Sequence, residues 1–123
     1  MNEPPSERGS PAFRAARDLA GGIDRITLAW PDEERHGGLA DQIRAKAVAV
    51  SAGILLALDA ETPAERLDHL AAANGARAAV ETRLLISQHL AYADESTCTE
   101  LLDLSADLAR LLLHDEIDAT RKS

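Results

Sequence analysis

Aromatic side chains are almost missing from this 123-residue chain, which has one Phe, one Tyr and one Trp. Seven glycines and five prolines interrupt it rarely, and with alanine and leucine dominant this composition favours helices over strands. Cysteine occurs once, as Cys98, which excludes an intramolecular disulfide and fits a reducing compartment or an inert buried thiol. Basic charge is short: 13 Lys and Arg against 21 Asp and Glu leave a formal net charge of −8. A field of that sign repels phosphate backbones and anionic headgroups, so unspecific nucleic-acid binding by one chain is disfavoured. No apolar run reaches the length of a bilayer span; the longest, Ala47 to Leu58, reads as a buried helix. The opening residues MNEPPSERGS lack the apolar core of a signal peptide, so a cytoplasmic protein without membrane contact is expected. Phosphate loops, GxGxxG, HExxH and CxxC pairs do not occur.

What is present is clear punctuation. Residues 1–10 read as a disordered tail, and Ser10-Pro11 offers an N-cap followed by proline at the first helical position. That first helix should stop at Trp30, because Pro31 disfavours helical geometry in the residue before it. A second helix is expected from Leu39, after Gly37-Gly38, to about Leu58. Thr62-Pro63-Ala64-Glu65 is a capping box that opens a third helix running to about Ala91, and Thr97 to Glu100 repeats the spacing before a fourth that ends near Ala119. Four helices with short connections predict an all-α, antiparallel up-down four-helix bundle, a single domain over residues 11–119, with 120–123 as a C-terminal tail.

Apolar spacing assigns the faces. Phe13, Ala16, Leu19, Ala20, Ile23, Ile26 and Trp30 form one stripe of the first helix, with Arg14, Arg17 and Arg25 opposite. Leu39, Ile43, Val50 and Ile54 form the stripe of the second. Off these stripes the second helix carries Val48, Leu55 and Leu56, and the fourth carries leucines around most of its circumference, including Leu104, Leu111 and Leu113. One bundle core cannot bury so wide an arc, so these six residues are the candidate oligomer interface and a homo-oligomer is expected.

Charge is unevenly placed. From Asp94 to Asp118 eight acidic side chains face one base, Arg110, whereas Phe13 to Leu58 balances six bases with six acids. Any contact with nucleic acid therefore falls to Arg14, Arg17, Arg25, Arg44 and Lys46, whose weak attraction could add up in an oligomer. Arg44 is also expected to pair with Glu33, Glu34 or a neighbouring subunit.

Catalytic and metal chemistry is poorly served. Glu33-Glu34-Arg35-His36 holds a single Glu-x-x-His, where a di-iron bundle needs two such motifs and two further carboxylates. His69 follows Glu65 by four residues, a spacing that suits a helix-surface pair. Cys98 falls on the apolar side of its helix without a histidine partner nearby in the sequence. No catalytic residue, metal or cofactor is expected, and the chain reads as a non-enzyme.

One stretch carries a resemblance. Trp30-Pro31, Glu34, Leu39, Gln42-Ile43-Arg44, Ala47, Val50 and Ile54 are similar to the corner and second helix of bacterial four-helix bundle proteins of the ribosomal RNA intervening-sequence type. Phe13, Ala16, Leu19, Ile23 and Ile26 before it, and Leu70, Ala73, Gly75, Glu81-Thr82, Leu84 and Leu90-Ala91-Tyr92 after it, extend the likeness over about residues 12–95. The resemblance implies a bundle assembled as a cyclic pentamer. One related branch, the accessory variability determinant proteins of diversity-generating retroelements, is basic and binds nucleic acid and a reverse transcriptase. This chain departs from the family at Gly53-Ile54-Leu55-Leu56-Ala57 and at Ala79, where the family has polar residues. Two functions follow as expectations: an oligomeric protein-interaction scaffold with a possible protein partner, favoured by the acidic charge, or a nucleic-acid-binding accessory subunit.

Overall fold

A computed structural model describes residues 9–32 and 37–122. Four helices follow one another: α1 Pro11–Thr27, α2 Leu39–Asp59, α3 Pro63–His89 and α4 Glu95–Lys122. Each packs mainly on two neighbours, α1 on α2 and α4, and α3 on α2 and α4, so the contacts close into a square. This is the expected antiparallel four-helix bundle. The tail over residues 1–8 and the corner residues Glu33, Glu34, Arg35 and His36 lie outside the described residues.

Local chemistry sets the helix starts. Ser10 Oγ accepts the Phe13 N–H at 3.0 Å, with Pro11 at the first helical position. Thr62 Oγ1 accepts the Glu65 N–H at 3.1 Å, while the Glu65 carboxylate reaches back to the N–H of Glu61 and not to that of Thr62. Asp41 reaches back from the first turn of α2 to the Gly37 N–H at 2.6 Å, in a turn that Gly37 enters with φ 77°. The start of α4 differs from expectation. Asp94, not Thr97, is the cap: its Oδ1 accepts the Thr97 N–H at 2.7 Å, so Thr97 becomes the third residue of the helix. That bond to the Thr97 backbone, helped by a further one from its side chain, holds the Asp94 carboxyl below the usual range.

The helix ends also shift. α1 stops at Thr27 and not at Trp30: Ala29 and Trp30 donate to the carbonyls of Ile26 and Thr27 in a tighter turn ahead of Pro31, while Thr27 Oγ1 turns back to the Ile23 carbonyl at 2.9 Å. α3 closes with the Ala91 N–H on the Gln88 carbonyl and the Tyr92 N–H on that of Ser87, at 3.0 and 2.9 Å. This pair of bonds is a Schellman motif, and it places Ala91 at φ 61°, a position where glycine is usual. α4 continues three residues past Ala119 to Lys122, whose Nζ meets Asp118 at 2.9 Å in the last turn, where the helix dipole favours a cation.

The core joins the expected stripes. Leu19 and Ile23 of α1, Ile43 and Ile54 of α2, Leu70 and Leu84 of α3, and Leu108 and Leu112 of α4 are all fully buried. Trp30 is 2% exposed and tilts against Tyr92 with ring centroids 5.9 Å apart, closing one end of the bundle. Its indole N–H has no hydrogen-bond partner among the described residues. α2 and α3 approach most closely at Gly53, where an added Cβ would sit 3.0 Å from Ala73 Cβ and 3.2 Å from both Ala73 Cα and the His69 carbonyl oxygen.

Candidate functional site

The basic candidates sit in different settings. Arg14, Arg17 and Arg25 project from the exposed side of α1, but Asp18 and Asp24 stand among them, and Arg17 lies 3.5 Å from Asp18. Lys46 is exposed on α2. Arg44 is half-buried: its Nε donates to Thr27 Oγ1 at 2.9 Å and lies 3.9 Å from Asp24, so it ties α2 to the end of α1. The partners expected for it, Glu33 and Glu34, lie outside the described residues. Arg44 is thus positioned to hold the α1–α2 corner through its Nε.

The apolar candidates divide. Val48, Leu56 and Leu113 are more than half exposed, whereas Leu55 is half-buried and Leu104 and Leu111 pack against the core. Leucine around α4 overestimated its free surface because the core receives this helix over a wide arc. On α2, Ala45, Val48, Ala49, Ala52 and Leu56 form an exposed stripe opposite the buried one.

α3 carries a surface that apolar periodicity did not reveal. Its exposed residues from Ala71 to Leu90 include Ala71, Ala72, Gly75, Ala78, Leu85 and Ile86, with Thr82 and His89, and no Asp, Glu, Lys or Arg. The three charged residues of this stretch are all half-buried. Arg77 and Glu81 meet at 2.6 Å and both bond the buried Ser105 of α4, and Arg83 donates to the Ala79 carbonyl of its own helix. At about 1.5 Å per residue the uncharged face runs for roughly 30 Å. Alanine and glycine carry little hydrophobic contrast, which is why the sequence does not announce it.

At the other end of the bundle from Trp30, the four helices leave a cavity of about 200 Å³. Ile54, Leu58 and Leu70 supply apolar wall, and Arg66, Asp115, Asp118 and Lys122 stand around it. Arg66 Nε donates to the Ala57 carbonyl at 3.2 Å, and Lys122 is taken up by Asp118. Burial pushes the Asp115 carboxyl up from its usual range, with neighbouring Asp118 adding to the effect and His114 and Arg66 opposing it. Cys98, by contrast, is fully buried beside Ser87 and the Leu84 carbonyl, and burial raises its thiol. Among the described residues no three potential ligands gather as a metal site, and no helix is long and apolar enough to cross a membrane.

Residues 10–114 match the family described as 23S rRNA-intervening sequence protein. The chain belongs to that family. A crystal structure from Bacteroides thetaiotaomicron, described as a protein of unknown function from the S23 ribosomal protein family, shares the fold at a TM-score of 0.78. It is 17% identical and is matched over 85% of this chain and 97% of its own. Among curated proteins nothing matches. The family assignment and the fold therefore agree with the resemblance drawn from the Trp30-to-Ile54 stretch.

Proposed function

We propose that this member of the family is a non-enzymatic, self-associating scaffold that acts through protein contact in the cytoplasm. The observation that carries the reading is the uncharged outer face of α3, with the Ala45, Val48, Ala49, Ala52 and Leu56 stripe on the adjacent α2 as a second exposed apolar surface. A chain with 28% charged residues that leaves about 30 Å of exposed helix without one is shaped for a partner surface of the same kind. Small side chains let backbones come close, and a second copy supplies a matching uncharged face. The family resemblance favours five copies in a closed ring. The acidic outer residues of α4 then remain on the assembly as the platform for a protein partner.

Light scattering at micromolar concentration tests this. Five copies of a 13.1 kDa chain give about 65 kDa, and Ala78→Glu, which places a carboxylate on the exposed α3 face, lowers the mass. A parent mass near 13.1 kDa overturns the proposal. Tight nucleic-acid binding that falls steeply with salt and is lost when Arg14, Arg17 and Arg25 become Ala favours the accessory-subunit function instead.

A further inference from the structure

The end cavity holds an arrangement that the oligomer does not require. Asp118 and Lys122 neutralise each other at 2.9 Å. Two opposite charges remain. Arg66 is anchored by its Nε to the Ala57 carbonyl at 3.2 Å, a bond that does not use its terminal nitrogens. Asp115, half-buried on α4, makes no hydrogen bond or ion pair with a described residue, Arg66 included. A half-buried carboxylate and a guanidinium that line the same cavity, and are not closed on each other as an ion pair, present opposite charges to whatever enters it. The wall supplied by Ile54, Leu58 and Leu70 is aliphatic.

We propose that this cavity binds a small aliphatic zwitterion, an amino acid of the leucine type, with its ammonium on Asp115, its carboxylate on Arg66 and its side chain against Ile54, Leu58 and Leu70. The size agrees: a cavity of about 150 Å³ takes up benzene, and the roughly 200 Å³ here suits a somewhat larger molecule. The polarity agrees as well, since a guanidinium is suited to a planar carboxylate and an unpaired carboxylate to an ammonium. A purely cationic amine would leave Arg66 facing it, and a purely anionic acid would be repelled by Asp115. Burial, which already raises the Asp115 carboxyl, means that an arriving ammonium relieves a cost present in the empty protein.

The full-length protein is titrated by calorimetry at neutral pH with leucine, isopentylamine and 4-methylpentanoate, and by NMR of its methyl groups. Saturable leucine binding, with shifts centred on Ile54, Leu58 and Leu70 and weaker binding of both analogues, is the expected result. Asp115→Asn and Arg66→Gln each weaken leucine by about tenfold or more, the loss of one charge-assisted hydrogen bond. Asp115→Asn does so without lowering the melting temperature, which separates a ligand contact from a merely structural role. No saturable leucine binding to the parent, equal binding of isopentylamine, or unchanged affinity in Asp115→Asn overturns the proposal. The comparison of the three probes on the parent decides it without any variant.

Discussion

Replacing Gly53 with alanine measures how tightly α2 and α3 are pressed together. Two effects oppose each other. Alanine is favoured over glycine inside a helix by roughly 1 kcal/mol. Against this, the new Cβ would stand 3.0 Å from Ala73 Cβ and 3.2 Å from Ala73 Cα and the His69 carbonyl oxygen. Carbon atoms prefer a separation of about 3.5–4.0 Å, and two of these three contacts are backbone, which cannot rotate away. The helix axes must separate, and such overpacking typically costs about 1–3 kcal/mol. The net expectation is destabilisation of up to about 2 kcal/mol. Gly75 is the control. It lies inside α3, exposed, with nothing within 4 Å of an added Cβ, so Gly75→Ala stabilises by about 0.5–1 kcal/mol. Both changes are made in the Ala78→Glu chain, so that association does not enter the comparison, and are followed by urea denaturation with circular dichroism. A Gly53→Ala chain stabilised as much as the Gly75→Ala chain would refute the close approach.

Three further outcomes are expected. Trp30→Ala costs about 3–5 kcal/mol as a large-to-small change at a buried ring, and Trp30→Phe costs much less because it also removes an indole N–H that has no partner among the described residues; urea midpoints that coincide with the parent for both would place Trp30 outside the core. Ala91→Gly relieves a left-handed residue in the Schellman motif and raises stability by about 0.5–1 kcal/mol, so a lower melting temperature would contradict the turn. Asp94→Ala lowers the melting temperature at neutral pH. Because the folded carboxyl lies below its usual value, its contribution is complete above the unfolded range and is lost as pH falls through the folded pKa. The gap between Asp94→Ala and the parent must close in acid; a gap independent of pH would show that the charge is not the cap.

Legibility followed the range of the interactions. Ser10-Pro11 and Thr62-Pro63 act within four residues, and their helices begin where the sequence says they should. Asp94 and Thr97 both offer caps three residues apart, and local chemistry alone does not choose between them. The stripes of Leu19 and Ile23, or of Ile43 and Ile54, were plain because large apolar residues repeat against polar ones. The α3 face was not, since Ala71, Gly75 and Ala78 are compatible with core, surface or interface. Arg44 reads as a partner for nearby Glu33 or Glu34, or for a neighbouring subunit, and only the fold brings Thr27 to it across 17 positions. The end cavity was the least legible feature, because its walls come from residues 9–11, 54–58, 66–70 and 115–122, which only the bundle brings together.

The square of helix contacts, with Gly9 and Lys122 on the walls of the same cavity, has a consequence for chain order. A closed circuit of contacts from α1 through α4 and back to α1 has no intrinsic first member. Joining the two ends by a short linker and opening the chain between Asp59 and Pro63 gives the permuted order α3, α4, α1, α2 with the same four interfaces. The α1–α4 contact then becomes a local hairpin, and α2–α3, the most extensive of the four, becomes the one that must close across the whole chain. Loop closure is costlier for distant partners, so the permuted protein should reach the same bundle more slowly.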